Sequence, residues 1–131
     1  MDRKLEKNIE NLSLALSKLE EALTEHKNDL LMIDGTIHRF ELAINLYWKT
    51  LKRCLQSEGI EAKTPRETLK EAFKAEWLND EEAWLQMLKD RNETSHTYNE
   101  DLAREILSNI HSYFPEMKAV FKFLKSKFQE G

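Results

Sequence analysis

Residues 91–98 read Arg-Asn-Glu-Thr-Ser-His-Thr-Tyr, and two of them suit phosphodiester chemistry. Arg91 carries a permanent charge on a planar fork that matches phosphate oxygens. His96 can take or give a proton near neutral pH. In RNA cleavage such an imidazole deprotonates a 2′-hydroxyl or protonates the leaving oxygen. The guanidinium holds the phosphate and stabilises its developing charge. This scheme needs no metal, and no His/Asp/Glu cluster in the sequence has convincing metal-ligand spacing.

Spacing restricts the pair. Five residues along an unbroken helix rotate by roughly 140°, so Arg91 and His96 would not share a face. They converge only if the helix ends between them. Thr94, Ser95 and Thr97 compete for backbone hydrogen bonds and make a poor helix interior. The sequence therefore allows a helix to stop just after Arg91, with His96 in the turn that follows. On its own, Arg-x4-His is a weak pattern. The plainer reading is a surface arginine paired with Asp90 or Glu93, plus a histidine in a turn, and the residues alone favour it. Taken alone, Tyr98 reads as an amphipathic residue at a helix start.

The elements around this segment follow from apolar periodicity. Leu5, Ile9, Leu12, Leu16, Leu19 and Leu23 predict a helix from about Leu5 to Lys27. Asn28-Asp29 breaks the chain. A second helix starts between Leu31 and Thr36, with Asp34 a candidate N-cap. Its stripe is Ile37, Phe40, Ile44, Tyr47, Leu51 and Cys54/Leu55, and it ends near Gly59. Leu42 and Trp48 lie off that stripe, which implies a second covered face toward another helix or another subunit. Thr64-Pro65-Arg66-Glu67 predicts a capped short helix running to about Trp77. Asn79-Asp80-Glu81-Glu82 opens a fourth helix through Trp84, Met87 and Leu88. The last begins at Thr97 or Asn99, with Leu102, Ile106, Ile110 and Tyr113 buried. Pro115 predicts a kink or break around Tyr113-Phe114. The fold class is all-α: an antiparallel up-and-down bundle of four main helices plus one short helix, the last helix kinked near Pro115. Residues 1–131 read as one domain.

Composition agrees and sets limits. Apolar residues make up 40% and charged residues 34%, with only 3 Gly and 2 Pro, which favours continuous helices over a turn-rich β fold. Lys+Arg number 20 against Asp+Glu 24, a formal charge of -4. Such a chain has no global field for nucleic acid, so any RNA contact needs a local basic patch. Lys118, Lys122, Lys125 and Lys127 form the most basic cluster, read first as a solvated helix face. His26 and His38 lack partners in the pattern and read as surface or core-edge residues, whereas His111, four residues before Pro115, is placed to interact with local carbonyls. Cys54, the only cysteine, reads as a small buried residue in a chain suited to a reducing cytoplasm. Met1–Lys7 is too charged for a signal peptide, and no apolar run approaches the ~20 residues that span a membrane.

The order of helices and the segment Arg91-Asn92-Glu93-Thr94-Ser95-His96 together resemble HEPN domains. These are helical bundles with an Arg-x4–6-His motif between the last two core helices. Arg39-Phe40-Glu41-Leu42, Tyr47-Trp48-Lys49-Thr50-Leu51-Lys52, Asp90-Arg91-Asn92 and Ser95-His96-Thr97-Tyr98 narrow the likeness to the nucleotidyltransferase substrate-binding family. The resemblance implies a metal-independent endoribonuclease with Arg91 and His96 catalytic, Asn92 and Ser95 in support, and no cofactor. It further implies a toxin, cytoplasmic and homodimeric, acting on RNA. Its partner would be a minimal nucleotidyltransferase antitoxin that adds AMP to Tyr98. The family's older name carries an alternative: a non-catalytic nucleotide- or substrate-binding subunit of a two-component nucleotidyltransferase. A third alternative is a helical interaction protein with no chemistry.

Overall fold

The computed structural model describes residues 2–25 and 29–129. Its helices are α1 (Arg3–Thr24), α2 (Leu30–Ser57), α3 (Pro65–Lys74), α4 (Glu81–Asn92) and α5 (Glu100–Phe128). A 3-10 turn, Thr94–His96, links α4 to α5. Five of the six stripe residues of α1 are buried, and Leu23 is half-buried. The helix ends before the expected Lys27, which with His26 and Asn28 lies outside the described residues.

Side-chain caps start the helices. Asp29 accepts from the Met32 amide and opens α2 at Leu30, earlier than Asp34 would. Asp34-Gly35 is therefore inside the helix. A helical glycine costs ~1 kcal/mol. Burial of Ile33 and Ile37 on either side, at ~1.5–3 kcal/mol each, outweighs it. Gly59, at φ +79°, terminates α2 as expected. Its amide bonds Gln56 O and the Ile60 amide bonds Leu55 O, a Schellman closure. Thr64 Oγ1 caps α3 through the Glu67 amide, while the Glu67 carboxylate reaches back to the Lys63 amide. That helix ends at Lys74, short of Trp77. Glu76 takes φ +65° so that Trp77 can turn inward, where it meets Phe128 edge-on at 5.2 Å.

Cross-helix bonds give the directions. Arg39 Nη1 donates to Lys18 O and Thr50 Oγ1 to Asn8 O, so α1 and α2 are antiparallel. Tyr47 meets Trp84 and Asn45 meets Arg91, so α2 and α4 are antiparallel. Trp84 bonds Glu116 and Asp90 bonds Asn109, which makes α4 and α5 antiparallel. The four long elements thus alternate up and down, with α3 as the short extra helix. α2 packs against all the others and carries the centre of the core: Phe40, Ile44, Tyr47, Leu51 and Leu55.

The helix α5 does not break at Pro115; it runs without interruption from Glu100 to Phe128. Proline forfeits only the bond to the His111 carbonyl, and both residues are exposed, so water can serve that oxygen. Tyr113 and Met117 stay buried on either side. The next residue, Glu116, binds four donors: the amides of Asn79 and Asp80, Asn79 Nδ2, and Nε1 of the fully buried Trp84. It ties α5 to the start of α4.

Buried Cys54 has its thiol pushed up to about 12, first by burial, then by Glu58, with Lys127 opposing. Glu116→Ala leaves the Trp84 indole N–H without its acceptor, which costs ~1–3 kcal/mol. The expected outcome in urea unfolding followed by circular dichroism is a lower midpoint at unchanged slope. Glu116→Gln, which keeps one acceptor oxygen, falls between that variant and the parent.

Candidate active site at the turn between α4 and α5

α4 ends where the sequence stops favouring a helix. Asn92 is its last residue, and Thr94–His96 tightens into the 3-10 turn. Thr97 Oγ1 closes onto Thr94 O at 2.9 Å. Asn99 then caps α5 through the Leu102 amide at 3.2 Å.

The last turn of α4 is oriented by a buried carboxylate. Asp90 is 6% exposed and accepts three neutral donors. They are Gln86 Nε2 at 3.0 Å, Asn109 Nδ2 at 3.0 Å and Tyr113 Oη at 2.6 Å. Burial and the bond to Asp90 push the Tyr113 phenol well above its ordinary range. With Asp90 facing α5, the next residue lies 100° further round the helix and faces α2. Arg91 is half-buried there. Its Nη1 donates to Asn45 Oδ1 at 2.8 Å. Its Nε and Nη2 both donate to Asn92 Oδ1, at 3.2 and 2.7 Å. Contrary to the plainer reading of the segment, Arg91 pairs with neither Asp90 nor Glu93 among the described contacts.

Thr94 Oγ1 bonds the Glu41 carboxylate and Arg91 O, fastening the turn to α2. His96 is exposed, and its ring meets Tyr98 edge-on at 6.2 Å. Among the described residues no hydrogen bond joins His96 to Arg91. Arg91 lies in the last turn of α4 and His96 in the 3-10 turn that follows, and both side chains are reachable from solvent. Ser95 is exposed beside them, and Tyr98 is 87% exposed. No three His, Cys, Asp or Glu side chains among the described residues converge as a metal-ligating group.

Elsewhere Lys118 pairs with Glu20 and Lys127 with Glu58, so half of the lysine cluster is tied to acidic partners. Trp77 and Trp84 are core residues, while Trp48 is half-buried under Lys52. Leu42 remains 47% exposed, so no described helix of this chain supplies the covered face expected for it. The sequence reading missed Asn45 as a partner of Arg91, and gave Glu41 no role. Two polar residues four apart on an otherwise apolar stretch of α2 were the available signal.

A helical bundle with an Arg/His turn between its last two long helices is a recognisable class of protein. The family model described as "Nucleotidyltransferase substrate binding protein like" matches residues 7–126. The chain belongs to that family, which is of the HEPN type. It is 29% identical over 103 residues to the "Probable ribonuclease HepT" of Haemophilus influenzae, covering 75% of this chain and 70% of that protein. A crystal structure of a Thermus thermophilus protein superposes with a TM-score of 0.82 at 33% identity, covering 86% of this chain and 98% of that one. A Haemophilus influenzae structure, described as revealing the fold of a substrate binding domain of a nucleotidyltransferase, gives 0.80 at 25% identity. It covers 89% of this chain and 98% of the other. No described helix is long and apolar enough to cross a membrane.

Tyr113 supplies a pH prediction. Its folded-state pKa lies above the ordinary value of 10, so the fold holds that proton more tightly than the unfolded chain does. The stabilisation is complete below pH ~10 and is lost as pH rises beyond it. Tyr113→Phe lacks the Asp90 bond at every pH. Urea midpoints should therefore differ between parent and variant at pH 8, and the difference should begin to shrink only as pH rises past ~10 toward the raised folded-state value.

Proposed function

We propose that this chain is a metal-independent endoribonuclease in which Arg91 and His96 act on the RNA phosphodiester. The observation that carries the reading is the state of Arg91. Its guanidinium is held by two neutral amides, so its full charge stays available beside an exposed imidazole. The naming of a relative as a probable ribonuclease supports the same reading. In the reaction, the 2′-oxygen attacks phosphorus and the P–O5′ bond breaks, leaving a 2′,3′-cyclic phosphate and a 5′-hydroxyl. Arg91 binds the non-bridging oxygens, and His96 takes the 2′ proton or delivers one to O5′. Asn92 orients Arg91, and Ser95 offers a hydroxyl to the RNA.

The protein works as a cytoplasmic toxin and a homodimer, which sets two such turns around one cleft and concentrates arginine locally despite the acidic chain. Exposed Leu14 and Leu42 on the α1–α2 face, next to Asn45, are surface for that second copy. Silencing falls to a minimal nucleotidyltransferase antitoxin. The Tyr98 phenol attacks the α-phosphorus of ATP, pyrophosphate leaves, and the AMP puts a phosphate beside Arg91. The exposure of Tyr98 suits an acceptor.

The description of the family and of the Haemophilus structure favours a second reading, a non-catalytic subunit that presents substrate to the nucleotidyltransferase. The decisive experiment is RNA cleavage by the purified protein in chelator. Arg91→Ala and His96→Ala should each lower the rate at least ~100-fold. Binding without cleavage, or full activity in both variants, selects the second reading. Incubation with a minimal nucleotidyltransferase and ATP should add the mass of AMP to the intact chain, and Tyr98→Phe should remove that addition.

A further inference from the structure

We propose that Asn45 and Glu41 of α2 are positioning residues for the ribonuclease site, and that Asn45 is an amide because a carboxylate would quench Arg91. The proposal rests on the reading of Arg91 as the phosphate-binding group. The two residues lie four apart, on one face of α2. Asn45 reaches Arg91 across 46 positions of sequence, and Glu41 reaches Thr94 across 53. α2 therefore grips the site twice, once at the guanidinium and once at the turn that carries His96.

The hydrogen count makes the first grip specific. A guanidinium has five N–H donors. Among the described partners, Asn92 Oδ1 takes one from Nε and one from Nη2, and Asn45 Oδ1 takes one from Nη1. Each terminal nitrogen keeps one N–H, and two adjacent donors match two oxygens of a phosphate. Both acceptors that fix this orientation are uncharged. An amide oxygen holds the fork in place and leaves the net charge whole, whereas a carboxylate at the same distance would pair with it and compete with the substrate. The second grip gives the Glu41 carboxylate of α2 a different partner. Glu41, one helical turn before Asn45, is engaged by the Thr94 hydroxyl.

The test compares substitutions that separate hydrogen bonding from charge, using kcat and KM on an RNA oligonucleotide together with Tm. Asn45→Ala frees the guanidinium and should lower kcat on the order of 10–100-fold without loss of Tm. Asn45→Asp keeps an acceptor, and should match or exceed the parent in Tm while KM rises. A residue with a merely structural role would be rescued by aspartate. Wild-type KM and kcat in Asn45→Asp therefore overturn the proposal, as does wild-type kcat in Asn45→Ala. Glu41→Ala should lower kcat, and Glu41→Gln, which still accepts from Thr94, should restore it; equal kcat in the two overturns the second grip. Arginine side-chain NMR gives a readout independent of cleavage. Nη resonances of Arg91 should be resolved in the parent and averaged by rotation in Asn45→Ala. If the parent cleaves no RNA, the ribonuclease reading fails, while the NMR comparison still decides whether Asn45 anchors Arg91.

Discussion

A carboxylate taken out of water must find donors, and Asp90 finds three of them in a narrow space between α4 and α5. Gln86 comes from one turn earlier on the same helix. Asn109 and Tyr113 come from one face of α5, one turn apart. The two bonds to α5 fix the rotation of the last turn of α4 about its own axis, because each of them fails if the helix rolls. Arg91 is the next residue and has no choice of direction. It emerges toward α2, where Asn45 is waiting. The Arg91 side chain is thus aimed by its neighbour's burial, through nothing more than the 100° step of an α-helix.

The same logic sets the register of the bundle. Apolar stripes bring helices together, but neighbouring registers of Leu and Ile surfaces differ little in buried area. Polar pins inside the seam discriminate between them. Trp84 to Glu116 fixes α4 against α5 near one end, and Asp90 to Asn109 and Tyr113 fixes it near the other. Tyr47 Oη donates to Met117 O at 2.6 Å and fixes α2 against α5. Burial first, and then Glu116, raise the Tyr47 phenol well above its ordinary range, so it remains a donor. With both ends of the α4–α5 pair located, the residues between Asn92 and Glu100 must close a defined gap. A 3-10 turn and an Asn cap do so.

Much of this was legible in the sequence, for identifiable reasons. Helix period and cap chemistry are local signals, and they located α1, the end of α2 at Gly59, and the starts of α3 and α4. They failed where two local signals competed: Asp29 and Asp34 both offered a cap, and the buried Ile33 decided for the earlier one. Pro115 signals a kink or a break by its residue type; its missing bond falls on an exposed face, and the helix continues through it without a break. For the candidate site, residue types singled out Arg91 and His96, and the Thr and Ser content of the segment allowed a helix end between them, which falls at Asn92. The partner of Arg91 was not legible. Asp90 and Glu93 are its sequence neighbours, and charge alone would choose them, yet Asp90 is committed to α5. The acceptor comes from 46 positions away, on a helix whose pattern records burial and says nothing about which polar residue faces which.

That substitution of an amide for an acid bears on how a chain of net charge -4 keeps one arginine bonded to neutral groups. With 24 carboxylates against 20 basic side chains, acidic groups outnumber basic ones, and two arginines hold one within ion-pair distance. Arg39 approaches Glu21 and Arg104 pairs with Glu100, so their charge is shared locally. Arg91 is surrounded differently. Its neighbour Asp90 is turned inward to α5, and Glu41, one turn before Asn45 on α2, is engaged by Thr94. The groups that do touch the guanidinium are Asn45 and Asn92. The electrostatic contrast of the site therefore comes from diverting the acids around one arginine, and needs no excess of bases. An oriented guanidinium with no carboxylate bonded to it among the described contacts presents its remaining N–H groups in the geometry that matches two oxygens of a phosphate.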